Sequence, residues 1–224
     1  MEDKTREPQY QVLVEYAKER GLESLGLMTS QAWFDDPKRL AFTLSRYKFV
    51  AKMLNGSRNV LEIGCADAFG TRIVLQHVDK ITAIDFDPIF IDDVKNRASD
   101  RWPIEAFTHD MLSGPVPGTF DGAFAMDVLE HIPANSEDAF LRNMALSLTE
   151  HGVAIVGIPS LESQAYASPI SKAGHVNCKS MGQLRETMLR HFHNVFMFSM
   201  NDEVVHTGHD RMANYLIALC ADKR

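Results

Sequence analysis

The sequence predicts a doubly wound α/β fold around a mostly parallel sheet. Two observations carry this. From residue 59 to 158, short apolar runs alternate with segments of helical period, the signature of β-α-β units. The last two apolar runs are joined only by residues 201–212, too short a link for a helical crossover, so they should pair as an antiparallel hairpin.

Each element follows in order. Residues 8–20 read as a short helix, and Gly21 and Gly26 break the chain after it. From Pro37 to Leu54 a clear amphipathic helix is expected, because Leu40, Leu44, Tyr47, Ala51 and Leu54 fall on one face. "NVLEI" (59–63), "ITAID" (81–85), "IEAFT" (104–108), "FDGAFAM" (120–126) and "GVAIVGI" (152–158) read as five buried strands. Helices fill the intervals at 71–78, at 88–98 and at 136–149. Asp87-Pro88 is a strong start signal, with Asp as N-cap and Pro at the first helical position. Residues 159–179 hold Pro159, Pro169, Gly174 and several serines, and form a long loop of the kind that carries function. Ser180 and Gln183 are spaced as a capping box for a helix ending near His191. "NVFMFSM" (194–200) and "ANYLIALC" (213–220) supply the closing hairpin.

Composition narrows the function. The chain of 224 residues suits one α/β domain with an added cap. Its formal net charge of −7 argues against a nucleic-acid partner, which asks for a basic surface. Cys65, Cys178 and Cys220 are far apart and form no CxxC pair, as expected of reduced thiols in a cytoplasmic protein. The first ten residues carry no apolar signal core, and no apolar run approaches the roughly 20 residues a membrane helix needs.

Right-handed crossovers bring the C-terminal ends of parallel strands to one edge, where ligands bind. Asp85, Asp110 and Asp127 all sit at predicted strand ends. The first such end reads "VLEIGCADAFG". A dinucleotide fingerprint would place a third glycine one position earlier, and Glu62 would face a pyrophosphate unfavourably. A phosphate-free cationic cofactor tolerates that carboxylate. Gly64 lets the backbone approach the ligand, Asp85 can accept from ribose hydroxyls, and Asp110 and the Met111 backbone can meet an adenine edge. Phe86 and Met111 are candidates to sandwich the ring.

In order, "VLEIGCADAFGT", "ITAIDFDP", "THDM" and "FDGAFAMDVLEHIP" resemble the successive motifs of class I S-adenosylmethionine-dependent methyltransferases. "DVLEHI" is similar to the ubiquinone-biosynthesis-type small-molecule subgroup. The resemblance covers about residues 40–220. It implies a Rossmann-like seven-stranded sheet with an antiparallel last strand in a domain of residues 37–224, after an N-terminal helical cap and lid of residues 1–36. It implies S-adenosylmethionine as cofactor and S-adenosylhomocysteine as product. Glu62, Gly64 and Ala66 would line the methionine part, Asp85 the ribose, and Asp110 with Phe86 and Met111 the adenine. Asp127 joins this set at the fourth strand end. Arg46 would pair with the ligand carboxylate, or else be a solvated helix charge. Ala66 stands where many members have Gly, and fits if its φ is negative.

Two histidines are candidate bases for removing an acceptor proton: His131 in "LEHIP" and His175 in "AGHVN". Each has a plainer reading as a loop-structuring residue. His206 and His209, in the closing hairpin, read as incidental loop residues. Asp127, Glu130 and His131, with His175, also resemble the D/E-x-x-E-H pattern of metal-using small-RNA 2′-O-methyltransferases, although the same letters occur in metal-free relatives, and no metal is expected here. Trp33 and Phe34 either pack the cap or cover the substrate. The expected activity is O-methylation of a small molecule, a sugar or secondary metabolite, with a histidine base. The alternatives are an RNA methyltransferase and a cofactor-binding protein without catalysis. The oligomeric state stays open and is compatible with a homodimer.

Overall fold

The computed structural model describes residues 4–224. Three helices come first: α1 (Gln11–Arg20), α2 (Leu27–Asp35) and α3 (Lys38–Met53). The alternating region follows as β1 (Asn59–Ile63), α4 (Thr71–Leu75), β2 (Lys80–Asp85), α5 (Pro88–Asn96), β3 (Glu105–Thr108), β4 (Phe120–Met126), α6 (Glu137–Ser147) and β5 (Leu148–Pro159). Then come α7 (Pro169–Gly174), α8 (Met181–Leu189), β6 (Phe192–Asn201), β7 (Val204–His206) and β8 (Tyr215–Lys223).

The strands form one sheet in the order β3-β2-β1-β4-β5-β8-β6-β7. The first five are mutually parallel. β8 runs antiparallel to β6, as the short link required, and also antiparallel to β5. The expected count of seven is corrected to eight: residues 204–206 of that link turn back and pair with β6 as β7. Residues 27–35, where no separate element was read from the sequence, form a helix within the expected N-terminal cap.

Period-2 alternation along the strands builds two cores, one on each face. Leu61, Ile63, Ala123, Ala125, Ala154 and Val156 face Phe140, Leu141 and Met144 of α6 and Leu184 and Met188 of α8. Val60, Ile81, Phe124 and Ile155 face Tyr47, Val50 and Ala51 of α3 and Val74 of α4. Glu62 therefore projects toward α3, on the side of Tyr47. The two helix starts read from sequence are built as expected. Asp87 accepts from the Ile89 amide at 3.0 Å, and Ser180 and Gln183 form a complete capping box.

Candidate active site

The carboxyl ends of β1, β2, β3, β4 and β5 share one edge. Glu62 is 1% exposed. The Tyr47 hydroxyl donates to its Oε1 at 2.8 Å and the Thr71 hydroxyl to its Oε2 at 2.5 Å. Burial pushes Glu62 up to about 7 despite both donors, and Asp67 and Asp85 add to the rise. Gly64 has φ +70, and an added Cβ would lie 2.4 Å from Val128 Cγ2. The close approach here is to the segment after β4.

Asp85 is buried and locks the loop after β1 from beneath: Oδ2 accepts from the Ala66 amide and Oδ1 from the Asp87 amide, each at 2.9 Å. Ala66 has φ +45 and Ala68 φ +50, so Ala66 does not meet the condition of a negative φ. Each alanine holds a left-handed conformation that costs about 1–2 kcal/mol, and the Asp85 bond helps to impose it. Asp110 is exposed and its Oδ1 accepts from the Leu112 amide at 2.8 Å. Phe86 is 74% exposed, as a free stacking face would be. Met111 is only 4% exposed and belongs to the core, while its carbonyl accepts from Asn143 Nδ2 at 2.7 Å. The proposed sandwich of Phe86 and Met111 is therefore corrected, because the Met111 side chain offers no free face.

Arg46 is not a solvated charge. Its guanidinium donates to Asp127 Oδ2 at 2.6 Å and lies 3.7 Å over the Tyr215 ring. Burial opposes its charge, but the Asp127 carboxylate, Tyr215 and Glu130 together outweigh this and hold Arg46 above its ordinary range. Asp127 itself has φ +58, and its amide donates to Tyr215 Oη at 3.1 Å and to the Gly157 carbonyl at 3.0 Å. Tyr47, Thr71 and Tyr215 thus belong to the site although sequence reasoning did not select them. Each lies in an ordinary apolar pattern whose hydroxyl partner is distant in sequence.

The 3₁₀ turn Leu129–His131 follows β4. His131 and His175 face each other with ring centroids 5.2 Å apart. His131 Nδ1 donates to the Gly174 carbonyl at 2.9 Å, so its Nε2 is the basic nitrogen. His175 Nδ1 is 2.8 Å from Gln164 Oε1. Burial and the neighbouring His131 hold His175 below the ordinary imidazole range, which keeps it neutral at pH 7. Beneath them Glu130 is fully buried and, among the described residues, neither carboxylate oxygen has a hydrogen-bond partner. Burial, then Asp127, drives it well above the carboxylate range. One ligand atom each from Glu130, His131 and His175 lies within 4.8 Å of the others. Asp127 is not in this group, since Arg46 holds it. A cavity of about 380 Å³, lined by Leu161, Gln164, Lys172, His175, Val176 and Cys178, opens beside the histidines. His206 bonds to Asn201 within the hairpin.

The fold and this edge define a class, and comparison sharpens it. Residues 60–152 match the family model of a methyltransferase domain. The matched stretch runs from β1 into β5, across the strand ends that carry the site, and supports a methyltransferase enzyme. Among solved structures it is similar to the N-methyltransferase NodS from Bradyrhizobium japonicum WM9 in complex with S-adenosyl-L-homocysteine (21% identity, 85% of this chain and 90% of that one, TM-score 0.63). It is similar to the DhpI complex with the same product (16% identity, 86% and 90%, TM-score 0.62). It is also similar to the methyltransferase domain of bacterial CtHen1-C (15% identity, 81% and 97%, TM-score 0.66). At these identities the likeness is one of fold. No curated protein sequence matches the chain. Among the described residues, no helix is long and apolar enough to cross a membrane.

Proposed function

We propose that this methyltransferase moves the methyl group of S-adenosylmethionine to a hydroxyl of a small-molecule acceptor, with His131 as base. The lining of the edge fits that donor. Three carboxylates, Glu62, Asp67 and Asp85, surround the loop after β1, a setting that repels phosphate and suits a sulfonium and an ammonium. Two of the neighbours above are complexes with the product of that donor. Glu62, Gly64 and Ala66 would hold the methionine part, Asp85 the ribose, and Asp110 and Phe86 the adenine, with Arg46 and Asp127 closing the far side. When bound, the donor supplies an electrophilic carbon. The chain then has to align an acceptor and take its proton.

The observation that carries the reading is the tautomer of His131. Its Nδ1 hydrogen is committed to Gly174, its ring is about half exposed, and Nε2 is left to accept a proton. His175, kept neutral, stands beside it to orient the acceptor hydroxyl from the adjoining cavity. Residues 1–36 would act as a cap and lid over this edge. His131→Ala should lower kcat by roughly 10²–10⁴ and leave affinity for S-adenosylhomocysteine unchanged. A variant of unchanged kcat would remove the base.

A second reading is favoured by Glu130. A buried carboxylate without a hydrogen-bond partner among the described residues, with Oε1 3.9 Å from His131 Nε2 and His175 close by, is a donor set suited to a divalent ion. Glu130, His131 and His175 would hold the ion, which would polarise the acceptor hydroxyl, a ribose 2′-hydroxyl of RNA among the candidates. Dialysis against a chelator followed by metal analysis separates the two readings. The histidine-base reading expects full activity and no stoichiometric metal.

A further inference from the structure

We infer that Asp67 is a positioning residue that latches α2 to the cofactor loop, so that binding of the cofactor and ordering of the N-terminal cap are one coupled event. The inference rests on the donor assignment above. α2 begins without a cap of its own, since its N-cap residue is Gly26. Its orphan amides find acceptors on other elements. The Thr29 amide donates to Asp67 Oδ2 at 2.7 Å, and the Leu27 amide to Asp93 Oδ2 at 3.3 Å. Arg97, just past α5, ties the two acids together. Its guanidinium donates to Asp93 Oδ2 at 2.8 Å and also to the Asp67 carbonyl.

The junction is tight and buried. Asp67 is 2% exposed and Thr29 4%. A Cβ added to Gly26 would fall 2.3 Å from the Asp67 Cβ, so only glycine lets the segments meet. Asp67 also sits between the two left-handed alanines, Ala66 and Ala68, and its Oδ1 accepts from the Phe69 amide at 3.3 Å. The carboxylate that caps α2 is therefore part of the loop proposed to cradle the methionine end. The rest of the cap is thinly held. α1 buries no residue, and α2 buries only Thr29 and Ala32 while Trp33 and Phe34 stay exposed. A segment with so few buried contacts opens easily, and fixing its buried anchor changes its opening most. Linkage makes the effect reciprocal: whatever fixes residues 64–70 protects α2, and whatever frees α2 weakens the ligand.

Hydrogen exchange on the whole chain, with and without S-adenosylhomocysteine, tests this. The ligand should slow exchange at residues 27–35 at least tenfold in the wild type. Asp67→Ala should abolish that slowing and weaken the ligand about tenfold. Asp67→Asn, which keeps an acceptor oxygen, should restore most of both, which a general loss of structure would not. Gly26→Ala breaks the junction from the other side and should weaken the ligand similarly. Exchange at 27–35 indifferent to bound ligand, or Gly26→Ala binding like wild type, overturns the latch. If the wild type binds no S-adenosylhomocysteine, the donor assignment fails. The latch is then judged on ligand-free exchange at 27–35, which Asp67→Ala should raise about tenfold and which overturns the latch if unchanged.

Discussion

Glu62 shows at residue scale how burial becomes chemistry. With its folded value raised to about 7, Glu62 keeps its proton at pH 6, where the unfolded chain has lost it. Its stabilising contribution is thus present below the ordinary carboxylate range and lost as pH rises through about 7. A cationic ligand favours the ionised form, so binding should expel that proton. At pH 6, calorimetry of S-adenosylmethionine binding in two buffers of different ionisation heat should report close to one proton released. The release should fall toward zero at pH 8 and be absent in Glu62→Gln, and equal heats in both buffers would refute the coupling. The Arg46–Asp127 pair gives an asymmetric expectation, because the Arg46 side chain is 17% exposed and that of Asp127 38%. Arg46→Met leaves a carboxylate that water can reach and should cost roughly 1–2 kcal/mol. Asp127→Ala strands a buried guanidinium and puts alanine at the left-handed position 127, and should cost roughly 3 kcal/mol or more. Denaturant titration of both variants checks the order. The strand-end acids were legible in sequence because a motif puts them at turns. Tyr47, Thr71 and Tyr215 were not, because their partners, Glu62, Glu62 and Asp127, become neighbours only after the sheet has formed.

At the scale of elements, the segment between β5 and α8 is held by one acid. Glu137 of α6 accepts from Asn177 Nδ2 at 2.8 Å and pairs with Lys179 and Arg190, each at 2.7 Å. Burial opposes its ionisation, but Lys179 and Asn177, with Arg190, outweigh this and hold Glu137 below its ordinary range. The stabilisation is present above the unfolded value and is lost as pH falls through the lowered folded one. The amides of Val176 and Asn177 also donate to the Glu130 carbonyl, so the clamp sets where His175 stands. Glu137→Ala should loosen residues 159–179, seen as faster proteolysis there. It should lower kcat about tenfold or more with affinity for S-adenosylhomocysteine unchanged. Uniform loss of both would mean Glu137 supports only the fold. The sequence marked this stretch as a long functional loop but not its 3₁₀ turn (Glu162–Tyr166) or α7, because the ion pairs that compact it span residues 137 to 190. α2 was missed for a related reason. Its apolar residues follow no clear helical stripe, and its capping carboxylates come from Asp67 and Asp93.

On the scale of the whole molecule, the alternation of strands and helices was the most legible feature. Apolar period, turn residues and crossover handedness are local or general, and together they fixed the parallel half and the antiparallel close. The eighth strand escaped because β7 is a three-residue edge strand with no pattern to read. Ligand binding should stabilise the whole domain. S-adenosylhomocysteine at about 100 times its Kd adds roughly 2.7 kcal/mol, which for a domain of this size raises Tm by roughly 5–11 °C, while NAD should leave Tm unchanged. The central claim, a small-molecule hydroxyl methylated through His131, is tested most directly by label transfer. Methyl-labelled S-adenosylmethionine is supplied with a metabolite extract and, separately, with RNA, in the presence of a chelator. The account predicts label in the low-molecular-weight fraction, undiminished by chelator and lost in His131→Ala. Label entering RNA alone, or transfer abolished by the chelator, would contradict it.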